Sequence, residues 1–84
     1  MRYQIIDPKH AEAFKKQLTL NNWVMVKQDA GQTHLVGWGY MIEWQKNQES
    51  VSLHYKDQQG KAEAQLEMTP SAWAEVQNIL KKLL

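Results

Sequence analysis

Between Lys61 and Met68 apolar and polar residues alternate without a break. Ala62, Ala64, Leu66 and Met68 fall on one side, and Lys61, Glu63, Gln65 and Glu67 on the other. A period of two over this length predicts a strand with one buried and one wet face. The same period starts at Trp23 and is interrupted by three turn signals: Asp29-Ala30-Gly31-Gln32, Lys46-Asn47-Gln48-Glu49 and Asp57-Gln58-Gln59-Gly60. Four strands joined by three hairpins follow.

Register can be set on paper, because a one-residue slip would exchange the two faces. A two-residue loop at Asn47-Gln48 places Trp44 opposite Val51, Ile42 opposite Leu53 and Tyr40 opposite Tyr55. All six are apolar or aromatic, as one buried face requires. A four-residue loop from Asp57 to Gly60, with Gly60 left-handed, predicts Tyr55 opposite Ala62 and Leu53 opposite Ala64. A loop at Ala30-Gly31 predicts Met25 opposite Val36 and Trp23 opposite Trp38.

Two segments have helical rather than alternating spacing. Asp7-Pro8 reads as an N-cap followed by the first helical residue, after a short strand at Arg2 to Ile6. Ala11, Phe14 and Leu18 then share a face, and Asn21-Asn22 supplies a stop. Near the end, Thr69 and Pro70 repeat the start signal, with Met68 placed to staple onto Trp73. Trp73, Val76, Leu80 and Leu83 recur behind them with Ile79 alongside, and Lys81-Lys82 suits the negative end of the helix dipole. The predicted fold is an α+β two-layer sandwich, β-α-β-β-β-β-α, in which two amphipathic helices cover one face of a mostly antiparallel sheet. Residues 1–84 form a single small domain, and the position of the first strand in the sheet is open.

Composition narrows this picture. At 84 residues without cysteine the chain has neither disulfide nor thiolate metal ligands, so apolar packing must carry its stability. Four Trp, three Tyr and one Phe suit that task. A formal charge of +1 offers no global attraction to nucleic acid or to an anionic membrane. The N-terminal residues lack the pattern of a signal peptide, and no stretch approaches the roughly 20 apolar residues of a membrane helix. A cytoplasmic protein with no membrane partner is the expectation.

Chemistry-bearing motifs are scarce. His10, His34 and His54 form no helical i, i+4 pair and have no cysteine beside them, so neither metal nor cofactor is expected. Glu43, Ser52 and His54 make the nearest approach to a polar cluster, on a flat sheet face without a loop to exclude water. No catalytic residue is assigned, and the chain is not read as an enzyme.

The second face of the sheet attracts more interest. Its apolar end, Val24, Val26, Leu35 and Met41, together with Gly37 and Gly39, is the candidate partner interface. The two glycines flanking Trp38 either mark a bend in a long strand or leave a trough where another chain approaches closely. The favoured reading is a non-catalytic binding or regulatory module that acts through a protein surface, as a homodimer or in a complex. Single-stranded nucleic-acid binding on the sheet ranks second, and a small enzyme a distant third. Buried tryptophans favour the first reading, and solvent-facing tryptophans beside lysines the second. A deep pocket near His54 and Glu43 would favour the third.

Overall fold

The computed structural model describes residues 1–32, 38–58 and 60–83. Strand β1 (Arg2–Ile6) leads through a 3-10 turn at Pro8–His10 into helix α1 (Ala11–Leu20). Strands β2 (Val24–Gln32), β3 (Trp38–Lys46), β4 (Glu49–Gln58) and β5 (Lys61–Met68) follow, and a second 3-10 turn at Pro70–Ala72 opens helix α2 (Trp73–Lys81). The five strands form one antiparallel sheet in the order β1-β5-β4-β3-β2. The expected α+β architecture is therefore present, and the first strand takes the edge beside β5.

Local chemistry accounts for the helix boundaries. The Asp7 carboxylate accepts from the Lys9 amide at 3.1 Å, which caps the first turn. That hydrogen bond holds the Asp7 carboxyl below its ordinary pKa. At the other end Asn22 turns left-handed at φ 69°, and the Trp23 amide returns to the Leu18 carbonyl at 3.0 Å. Thr69 has the extended backbone of a cap, but its hydroxyl donates to Glu49 Oε2 at 2.7 Å and makes no cap bond. The Ser71 hydroxyl donates to the same oxygen, and the two bonds lower the Glu49 pKa.

One core joins both helices to one sheet face. Phe14 and Leu18 of α1, Val76 and Ile79 of α2, and Ile42, Trp44, Val51, Leu53, Leu66 and Met68 of the sheet are all buried, with Trp73 and Leu80 packed against them. Phe14 meets Trp44 edge-on, with ring centres 6.4 Å apart.

Two of the three hairpin registers differ from expectation. The Asn47-Gln48 hairpin pairs Trp44 with Val51, Ile42 with Leu53 and Tyr40 with Tyr55, as predicted. In the third hairpin the pairing runs to Gln58↔Lys61, so Tyr55 lies opposite Ala64 and Leu53 opposite Leu66. The slip is two residues and the faces are kept. It sets Lys56 opposite Glu63, where the expected register would have put Lys56 against Lys61. In the first hairpin Gly31 does not form the turn. It lies within β2 opposite Gly39, the ladder runs to Gln32↔Trp38, and Met25 faces Trp44 across a bulge at Val26. The expected register would have left Gly39 to Gln45 without a partner in β2, whereas the observed one pairs β3 with β2 from Trp38 to Gln45.

Candidate functional site

Since the helices occupy one face, the sites open to a partner are the other face and the two sheet edges. The open face carries Tyr3 and Ile5 from β1, Glu63, Gln65 and Glu67 from β5, Ser52, His54 and Lys56 from β4, Met41 and Glu43 from β3, and Val24, Lys27 and Asp29 from β2. Its centre is polar and its apolar residues collect toward the rims.

Of the six residues of the expected interface, the four that are described, Val24, Val26, Gly39 and Met41, lie along β2 and β3. Val24 is 62% exposed and lies opposite Gln45. Val26, at 48% exposure, sits in the bulge between Met25 and Lys27. Met41 is half-buried between Asp29 and His54, and Gly39 lies between Gly31 and Lys56. Leu35 and Gly37 lie outside the described residues, as does the expected pairing partner of Met25, Val36. Met41 and Val24 thus have polar neighbours across the strands, and Met25 faces the helix side while remaining half exposed.

The other rim, formed by β1, carries features that the sequence pattern does not show. The ladder with β5 sets Arg2, Gln4 and Ile6 opposite Met68, Leu66 and Ala64, so these three point toward the helices. Two of them are polar, and each finds a partner on α2: the Arg2 guanidinium lies 3.9 Å from the centre of the Trp73 ring, and Gln4 accepts from the Gln77 amide. The apolar pair Tyr3 and Ile5 is left on the open face, 59% and 81% exposed. Beside this strand an open groove of about 450 Å³ runs between Gln4, Ile5 and Ile6 of β1, the turn residues Asp7, Lys9 and His10, and Gln77, Leu80 and Lys81 of α2.

The tryptophans divide. Trp23 and Trp44 are buried, and the Trp23 indole N–H donates to Glu75 at 2.8 Å. Trp38 lies on the helix-side face as expected, yet it is 47% exposed. It meets Tyr40 and Tyr55 edge-on, at 5.5 and 5.9 Å, and those two rings stack at 4.9 Å. Lys15 reaches over Tyr40 at 4.8 Å. Burial and the nearby Glu12 charge push the Tyr40 phenol up to about 12.

His54 lies opposite Met41, with Nε2 3.9 Å from Glu67 Oε2. A cleft of about 240 Å³ opens beside it, where β1 leaves the sheet, bordered by Ile5, Pro8, Lys56, Glu63 and Gln65. Glu43 is not part of it, and no hydroxyl side chain lines it among the described residues. No group of three or more potential metal ligands occurs among the described residues, and none of their helices is long and apolar enough to cross a membrane. Comparison with family models, curated proteins and solved structures finds no match to this chain.

Proposed function

We propose that the domain is a small non-catalytic binding module that engages another protein chain through the rims of its sheet. The observation that carries this reading is the placement of exposed apolar side chains. Tyr3 and Ile5 mark one edge strand, and Val24, Met25 and Val26 the other, while the core between the helices and the sheet is complete. Edge strands present unpaired backbone groups, and apolar side chains there favour pairing with a further chain. A homodimer through Val24 and Val26 is one form this takes.

The test is a photo-crosslinking amino acid placed at Ile5, at Val24 and, as a comparison, at Trp38, followed by illumination in cells. Protein adducts from Ile5 or Val24 support the reading, and adducts of doubled mass identify a second copy. Absence of protein adducts from both positions overturns it.

One observation favours nucleic acid as a second reading. Trp38 is solvent-facing, in an aromatic cluster that Lys15 approaches, which is the pairing of stacking surface and cation that single strands require. Anisotropy of a labelled single strand, titrated at several salt concentrations, decides it. Salt-sensitive binding lost in Trp38→Ala supports the second reading, since counterion release makes such affinity fall steeply with salt.

A further inference from the structure

The β1 edge combines three features that belong together. It is a terminal strand, so its outer row of N–H and C=O groups faces no neighbouring strand among the described residues. Its face pattern is inverted: the polar Arg2 and Gln4 occupy the helix side, and Tyr3 and Ile5 are given to solvent. Conflicts between local pattern and fold concentrate where a surface serves a partner. Finally, the groove beside it lies between an open strand and a helix, a geometry that admits one more extended chain.

Charge narrows the occupant. The groove presents Lys9, Lys81 and His10 of the 3-10 turn, and its one acid is Asp7. Asp7 is already engaged by the Lys9 amide, with the Lys9 ammonium 3.6 Å away. Lys81 has no acidic partner within ion-pair distance among the described residues. A second copy fits poorly here. β1 contains no acid, and an antiparallel β1–β1 pairing centred on Gln4 would bring a partner's Arg2 opposite Ile6, toward Lys9 and Lys81.

We propose that β1 takes up an extended, acidic segment of a partner protein as a sixth strand, with acidic side chains beside Lys9 and Lys81 and the alternating apolar ones against Tyr3 and Ile5. The period of two lets one segment satisfy both faces at once. This rests on the reading of the domain as a protein-binding module and names the chemistry of the partner.

The probe is a fluorescein-labelled, end-blocked peptide of alternating glutamate and valine, compared with its lysine–valine counterpart. Two N-methylated versions, one for each alternate set of amides, test the strand hydrogen bonds. Anisotropy should show saturable binding of the glutamate peptide, tighter than the lysine peptide by roughly ten-fold, the size of one or two charge contacts. One of the two N-methylated peptides should fail to bind. Amide shift changes should fall on residues 2–6 and 77–81, and Lys81→Glu, with circular dichroism confirming its fold, should weaken the glutamate peptide.

Equal binding of the two charge types, shift changes confined to β2, tolerance of both N-methylations, or no binding of the glutamate peptide would each overturn the proposal. So would light scattering and shift mapping that place a second copy on β1. If Val24 yields protein adducts while the peptide fails, the binding-module reading stands without this one. If neither Ile5 nor Val24 yields adducts, both fall together.

Discussion

Leu66 and Tyr40 show what a single position can and cannot reveal. Leu66 lies in the most regular alternation of the chain and is fully buried between Leu53 and Gln4 in the sheet. Leu66→Ala should lower the unfolding free energy by about 2–5 kcal/mol, a large share of what a domain this small possesses. Urea titration measures this, and a loss below about 0.5 kcal/mol would contradict the burial. Tyr40 lies on the same face, where alternation gives the side but not the depth. Its phenol is raised to about 12 because burial and Glu12 disfavour the anion. A raised value in the folded state means that the contribution is fully present below the unfolded pKa near 10 and is lost as pH climbs through 12. The Tyr40 Cζ resonance should therefore stay at its neutral position at pH 10, and an ionised signal there would refute the assignment. Trp38 illustrates the same gap. Its face was legible, but its exposure depends on what packs over it in three dimensions, which no local pattern encodes.

At the scale of elements, turns decide how much could be read. The β3–β4 turn was legible because its two-residue length and the apolar pairs on either side agree. Its central residues both adopt left-handed backbone, Asn47 at φ 51° and Gln48 at φ 69°, the pattern of a primed hairpin turn. Asparagine tolerates that region, whereas for glutamine it costs on the order of 1 kcal/mol. Gln48→Gly should therefore raise stability by about 0.5–1 kcal/mol, the gain in the folded turn being partly offset by the greater freedom of glycine in the unfolded chain. Thermal denaturation checks this, and a lower melting temperature would show that Gln48 makes some contact of its own. The β2–β3 hairpin departs from the sequence pattern for a related reason. Gly31 is a turn signal in isolation, yet here it continues a strand opposite another glycine, and the bulge at Val26 moves the rest of β2 by one position. The inverted faces of β1 were equally hidden, since Tyr3 and Ile5 look like the buried set until β5 fixes the register.

Across the whole molecule the decisive feature is the strand order. β1 and β2 are consecutive strands at opposite edges, so α1 must carry the chain from one rim to the other. Hairpin turns fix the neighbours of β2 to β5, but hydrophobic periodicity is silent on where a strand without a hairpin pairs, and the place of β1 was therefore the part of the strand order left open. The arrival of α1 at the far rim is secured by one carboxylate. Glu75 of α2 accepts from the Trp23 indole at 2.8 Å and from the Lys46 ammonium at 3.1 Å, while that ammonium also donates to the Asn21 carbonyl at 2.9 Å. The end of α1, the end of β3 and the first turn of α2 are joined at this point. Trp23 is buried, so Glu75→Ala would leave its N–H without a partner at a cost of about 1–3 kcal/mol. Lys46→Met keeps the indole bond and removes an ion pair that is partly open to water, so it should cost less, roughly 0–1 kcal/mol. The two losses should not add, because both changes act on the same carboxylate. A double-mutant cycle by urea unfolding measures the coupling, and strict additivity would show that the three elements are held independently. Protection of the Trp23 indole N–H from hydrogen exchange should also fall in Glu75→Ala and persist in Lys46→Met, which assigns the bond to the carboxylate and its stabilising role to the junction of the two rims.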